Sequence, residues 1–263
     1  MLKELESDLL TALTGSNALV HKRSMQWIGR VLIMLRPLRE KIRGDLLYLD
    51  KEQKGKLLDV GCGNGCFLNL MKKLGWEVTG IEPDAQAAKM ARDCFSIPVK
   101  VDFLEKPSIP SNCFDVVTMK HVIEHVIDPL VILGECVRVL KDGGNLVVTS
   151  PNIESMGSLY FNRNWLHLDP PRHLHIFTVQ TLRRCIESVG LRIKEVRTVS
   201  NPAFHTWIAG CLIRRYSVIQ GGRASEHLSL SLFFGGLLFW TVQYLLGNLY
   251  RNFGEEIVVV ATK

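Results

Sequence analysis

LLDVGCGNGCFL, Leu57 to Leu68, decides how the rest of the chain is read. An apolar run carrying one acid, Asp59, enters three glycines at alternate positions, Gly61, Gly63 and Gly65. A second apolar run follows. Glycine gives up a side chain and costs backbone entropy, so three of them mark a backbone that bends sharply and lets something come close. The stretch therefore reads as a strand, a tight turn and the start of a helix.

Outward from this turn the chain alternates short strands and helices. KLLDV is the first strand. Cys66 to Leu74 has helical periodicity and stops at Gly75. WEVTGIE is a second strand, and Asp84 caps an Ala-rich helix reaching about Asp93. IPVKV and FDVVTMK are the third and fourth strands. PLVILGECVRVL is a helix ended by LKDGG, and NLVVTS is the fifth strand. Thr178 caps a helix closed by Gly190. LRIKEVRTV and EEIVVVATK are the sixth and seventh strands. Such alternation predicts an α/β fold, a seven-stranded, mostly parallel Rossmann-like sheet with helices on both faces.

Three regions follow. Residues 1–50 read as helical, with Leu5, Leu9, Leu10 and Leu13 at helical spacing and a basic amphipathic segment from Trp27 to Ile42 broken near Pro37. Residues 51–199 and 253–263 make the α/β domain. Residues 200–252 form an apolar helical insertion between the last two strands.

Composition narrows the function classes. The 263 residues hold 32 Lys and Arg against 26 Asp and Glu, a formal net charge of +6. No five-residue block of like charge marks a nucleic-acid tail. The seven cysteines are odd in number and scattered among apolar residues, which predicts reduced thiols in the cytoplasm rather than a disulfide framework. Cys62 and Cys66 have no partner pair at zinc-site spacing, so no metal site is expected there. MLKELESDLL lacks the basic and apolar blocks of a signal peptide.

In an open parallel sheet, ligands sit beyond the carboxyl ends of the strands. Glu82 ends the second strand, where an acid accepts hydrogen bonds from two ribose hydroxyls, so the ligand contains a nucleoside. A dinucleotide fingerprint would need Gly at the sixth position of the loop, where Cys66 stands. A phosphate loop would need Gly-Lys-Ser/Thr. Asp59 repels a pyrophosphate but suits a positively charged amino acid. The rival kept open here is a nicotinamide-dependent enzyme.

LLDVGCGNG, GIEPD, VDF, FDVVTMKHVIEHV and LKDGGNLVVTSPN, in this order, resemble the class I S-adenosylmethionine-dependent methyltransferases. The nearest subgroup includes ubiquinone-biosynthesis O-methyltransferases and bacterial small-molecule and sugar methyltransferases. The resemblance covers about residues 57–200 and the final strand, which it implies is antiparallel. It implies S-adenosyl-L-methionine as cofactor. Asp59 and the loop of Gly61, Cys62 and Gly63 would hold the methionine moiety. Glu82 would take the ribose, with Pro83 near the adenine. Asp102 would accept from the adenine amino group, with Phe103 flanking the ring. Lys120 and His121 would line the sulfonium end. A non-catalytic binding module that kept the fold is the second rival.

The acceptor site is expected from two histidine-bearing stretches. KHVIEHV places His121 and His125 four apart, on one helical face, with Glu124 beside them; no third metal ligand is evident in sequence. WLHLDPPRHLHIF, Trp165 to Phe177, reads as a long loop serving as a lid. His173 is the candidate general base, with His121 as a second catalytic candidate. His125, Trp165, Arg172 and His175 are candidate acceptor-binding residues. Asp169 and Arg172 could instead be a structural pair.

The insertion carries LSLSLFFGGLLFWTVQYLL, long enough to cross a membrane. Strands six and seven must pair, so the chain has to return to the side it left, which argues against one crossing. Peripheral membrane contact through 203–250, on the inner face of the membrane, stands beside a helical cap or a homodimer face. The acceptor read from this is a small molecule or a lipid-linked one.

Overall fold

A computed structural model describes residue 34 and residues 36–104, 109–200, 202–216, 230–250 and 252–263. The expected helix near Leu5–Leu13 and the start of the Trp27–Ile42 segment lie outside the described residues. What is described of that segment is α1, Arg36–Asp45, with Pro37 in its first turn, where a missing N–H does no harm.

The chain divides into two compact units, one running through Thr118 and the other from Met119. The first holds β1 (Lys56–Val60), α2 (Cys66–Lys73), β2 (Glu77–Ile81), α3 (Ala85–Phe95), β3 (Val99–Lys100) and the start of β4 (Phe114–Lys120). The second holds α4 (Pro129–Val139), β5 (Leu140–Pro151), α5 (Met156–Phe161), α6 (Val179–Ser188), β6 (Arg192–Val199), α7 (Ala203–Tyr216), α8 (Leu230–Leu249) and β7 (Glu256–Thr262). The seven strands are ordered β3-β2-β1-β4-β5-β7-β6.

In the first unit β1 runs parallel to β2, from Lys56 opposite Glu77 to Val60 opposite Ile81. Leu57 to Val60 are all buried, as expected of a strand covered on both faces. The Asp84 carboxylate accepts from the amides of Gln86 and Ala87 at 2.7 and 3.2 Å and so fixes the start of α3. Ala88 and Ala91 face inward, and their small size lets α3 lie close to the glycine turn. In the second unit β7 lies between β5 and β6 and is antiparallel to both. The expected antiparallel last strand is present.

Four local expectations need correction. β3 is two residues long, not five, because it pairs only Gly80 and Ile81 of β2. LKDGG opens β5 instead of lying between helix and strand; the Lys263 amide donates to the Gly144 carbonyl at 3.1 Å and extends the ladder. KHVIEHV is not helical, so His121 and His125 do not share a helical face. His121 has φ 53°, and its amide donates to the Thr149 carbonyl at 3.1 Å; the helix begins only after the Asp128 cap. Helix α5 went unpredicted. At six residues it is too short to show a period, and only its Ser155 cap is readable.

Candidate active site

The glycine turn belongs to the first unit. Gly61, Gly63 and Gly65 have φ of 72°, 53° and 77°, the left-handed region that side chains disfavour. The amides of Gly61 and Cys62 donate to the Ile81 carbonyl and tie the turn to the end of β2. A β-carbon on Gly65 would sit 2.6 Å from that of Ala91, so nothing larger fits. A β-carbon on Gly63 would meet nothing within 4 Å; this glycine opens onto free space.

Two buried carboxylates stand at this turn. Glu82 accepts from the Gly63 amide at 2.8 Å through one oxygen and from the Asp84 amide at 2.9 Å through the other. The carboxylate is thereby fixed in orientation while each oxygen keeps a further lone pair. Asp59 accepts from the Thr118 hydroxyl at 2.7 Å. Cys62 is buried between them, and burial together with the two acids pushes its thiol up to about 12, so it stays protonated. Asp102 follows β3 and accepts from the Phe103 amide, while the Phe103 ring is 57% exposed, apolar and uncovered. Pro83 is exposed beside Glu82.

The histidines belong to the second unit. His121 lies between two acids, with Nδ1 3.3 Å from Glu124 and Nε2 3.0 Å from Glu256. Burial disfavours its charge, but the two carboxylates prevail and raise it to about 10. His121 is therefore an imidazolium at neutral pH and has no lone pair for a proton. Its ring stacks at 6.5 Å on His167, which stacks in turn at 6.5 Å on His173. Burial pushes His167 down to about 4, so this middle ring is neutral.

The loop after β5 is pinned onto the turn after β4. The amides of Leu174 and His175 donate to the Glu124 carbonyl, and His175 Nε2 bonds the Ile127 carbonyl at 3.2 Å. His125 Nδ1 meets the Arg172 carbonyl at 3.0 Å, and His173 Nδ1 meets the His167 carbonyl at 2.6 Å. Each Nδ1 must then be the protonated nitrogen, which leaves the lone pair on Nε2. Glu124, His125 and His173 offer ligand atoms within 4.8 Å of one another, and the second oxygen of Glu124 is buried with no hydrogen-bond partner. The third potential donor atom, which the sequence did not reveal, belongs to His173.

Comparison with known proteins bears on what these groups serve. Residues 34–196 match the sequence profile described as a methyltransferase domain. The chain belongs to the methyltransferase-domain family. The mitochondrial ubiquinone biosynthesis O-methyltransferase of Rattus norvegicus is 29% identical over 192 residues, covering 66% of this chain and 55% of that protein. That of Parvibaculum lavamentivorans is 30% identical over 169 residues, covering 58% and 65%. The chain thus spans well under the full length of these relatives. In fold it resembles an S-adenosylmethionine-dependent methyltransferase from Archaeoglobus fulgidus, with a TM-score of 0.57, 22% identity, and 90% and 100% of the two chains covered. A structure named the [4+2]-cyclase SpnF aligns equally well, at a TM-score of 0.57 and 20% identity over 100% and 94%. Fold likeness at this level does not settle the reaction.

Within this methyltransferase domain the structure gathers Asp59, Gly61, Cys62, Gly63 and Glu82 at one turn. Lys120 is exposed at the end of β4, and His121 follows it. Trp165 is not part of a lid. It is 2% exposed and packs with Phe161, Ala203 and Phe239, because the insertion covers it. Arg172 pairs with Asp169 at 2.8 Å, the structural alternative weighed for it. Glu256 and His167 escaped the sequence reading. Glu256 stands 135 residues from His121, and only the β5-β7 pairing brings it near. His167 is one more histidine in a stretch that already holds two.

Proposed function

We propose that this chain is an S-adenosylmethionine-dependent methyltransferase acting on an oxygen of a small or lipid-linked acceptor. The observation that carries it is the Gly63–Glu82 arrangement in a chain of this family: a buried, oriented carboxylate beside a glycine that opens onto free space. When bound, the cofactor supplies an electrophilic methyl group. Glu82 would hold the ribose hydroxyls and Asp59 the ammonium of the methionine end. Cys62 would line the turn as an unreactive thiol. Asp102, Phe103 and Pro83 would flank the adenine, and Lys120 and His121 would border the sulfonium end.

His173 is the proposed general base. Its Nδ1–H is held by the His167 carbonyl, so Nε2 takes the proton from the acceptor hydroxyl. His121, already charged, serves as a fixed cation and not as a base. His125, Arg172 and His175 would edge the acceptor site. The test is transfer of labelled methyl from S-adenosylmethionine to fractionated lipid and small-molecule extracts. His173→Asn is expected to lower turnover about 10²-fold with cofactor affinity retained. Unchanged turnover would remove His173 from this role.

The orphaned Glu124 oxygen beside His125 and His173 favours a second reading, in which those three groups hold a divalent cation that acidifies the acceptor hydroxyl. Chelation followed by metal add-back separates the two. Activity lost and restored supports the cation, and activity indifferent to both supports His173 as the base.

The setting we propose is cytoplasmic, at the inner face of the membrane. All seven cysteines are free thiols, in keeping with a reducing compartment. No nucleic-acid partner is proposed; a homodimer is the alternative to membrane contact.

A further inference from the structure

Helix α8 has two dissimilar faces. Gly236, Phe239 and Gln243, at helical spacing, are buried on the protein. Leu230, Phe234, Leu238 and Leu245 point the other way and are 78%, 61%, 66% and 58% exposed. Surface helices of soluble proteins carry charge on the outer face. Here residues 228–250 contain no Asp, Glu, Lys or Arg. Only 17% of the apolar stretch Leu230–Gly247 is buried, so it is not a core helix. Helix α5 adds exposed apolar side chains, Leu159 at 66% and Tyr160 at 54%, and the Tyr160 ring packs on Trp207 and Phe239 at 5.7 and 5.9 Å, which ties α5 to the inner face of α8. A row of exposed large apolar side chains with no charge among them marks an interaction site.

The same helix is anchored to its own unit. Gln243 is fully buried, and its amide nitrogen donates to the Phe253 carbonyl at 2.9 Å and to Glu255 at 2.7 Å. Glu255 also accepts from the Gly157 amide at 2.8 Å, so one carboxylate binds α8, α5 and the start of β7 together. A helix crossing the bilayer would have to break these bonds in hydrocarbon, where nothing replaces them. The insertion leaves from β6 and returns to the adjacent β7, and the Gly254 amide donates to the Thr198 hydroxyl at 3.0 Å. Both ends therefore stay at one place on the protein. Charge identifies the occupant. The insertion carries Arg214, Arg215, Arg223 and Arg251 against the single acid Glu226, and α7 ends on the exposed Arg214 and Arg215.

We infer that the outer face of α8, with Leu159 and Tyr160 of α5, lies in the headgroup region of an anionic lipid bilayer without crossing it. The inference rests on the membrane-side setting proposed above and not on the methyl-transfer chemistry. It assigns that setting to one surface and one lipid charge.

The test is co-sedimentation of the full chain with vesicles of phosphatidylcholine alone or with 30% phosphatidylglycerol (roughly the anionic fraction that gives a basic surface a measurable pull). The expected result is preferential binding to the anionic vesicles, weakened by salt. Phe234→Ser with Leu238→Ser, both at exposed positions, is expected to cut partitioning at least tenfold. Arg214→Gln with Arg215→Gln should remove the preference for anionic lipid. Circular dichroism of the same samples reports folding, and binding of S-adenosylhomocysteine reports the cofactor reading separately. Wild type that ignores both vesicle types would overturn the inference, as would a double Ser variant that binds like wild type. A dimer that the Ser variant dissociates would also overturn it and make a second copy the occupant.

Discussion

His121 has the most unusual surroundings of any histidine described. Two carboxylates face its two nitrogens and hold it charged up to about pH 10. Glu256→Gln removes one of them, so the titration of His121 should move down by more than one pH unit. Nitrogen-15 spectra of the imidazole, recorded against pH in both proteins, check this; an unmoved titration would mean that Glu256 does not hold the ring. The glycine turn supports a second prediction. Gly65→Ala places a β-carbon 2.6 Å from Ala91 at a φ of 77°. It should cost about 1–3 kcal/mol, read from urea unfolding. Gly63→Ala has room, so it should lose less stability. These glycines and Glu82 were legible in sequence because their roles are set within a few residues of a strand end. The His121–Glu256 pair was not, since 135 residues separate its partners.

The elements were legible where their ends carry capping chemistry. Asp84 and Thr178 each accept from amides of the first turn, and α3 and α6 begin where those residues predict; the structure adds the Asp128 cap of α4, which the sequence reading did not use. Asp128→Ala should cost about 1 kcal/mol, because the Leu130 amide loses its acceptor. Where the signal is weaker, strand and loop were confused. β3 has two residues, and α5 has six. KHVIEHV carries a helical pattern that a left-handed His121 prevents. The insertion was legible as apolar helix, but not the buried Gln243 that fixes it. Gln243→Leu should destabilise by about 1–3 kcal/mol, since Glu255, raised by burial, loses a donor while remaining enclosed. A calorimetric Tm equal to wild type would contradict the anchoring of α8.

For the whole molecule, the histidines set a pH window. His121 is raised from 6.5 to about 10, so the stability it contributes is full below pH 6.5 and is lost as pH rises toward 10. His167 is lowered to about 4. Below pH 6.5 the unfolded chain therefore takes a proton that the folded one refuses, and stability falls toward pH 4. Glu256, held low by His121 against the effect of its burial, adds to the acid-side loss. Urea midpoints should therefore be highest near pH 6.5 and fall on both sides. His121→Gln should flatten the alkaline limb and also lessen the acid-side loss, because Glu256 would no longer be held low by the imidazolium.

The central claim is that the Gly61–Gly65 turn and Glu82 hold an S-adenosyl nucleoside. Isothermal titration of the full chain with S-adenosylhomocysteine and, separately, with a nicotinamide dinucleotide tests it most directly. The account predicts binding of the first and not the second, and at least tenfold weaker binding in Glu82→Gln, as for the loss of about 1.5–3 kcal/mol of charge-assisted hydrogen bonding. Preference for the dinucleotide, or affinity unchanged by Glu82→Gln, would contradict it.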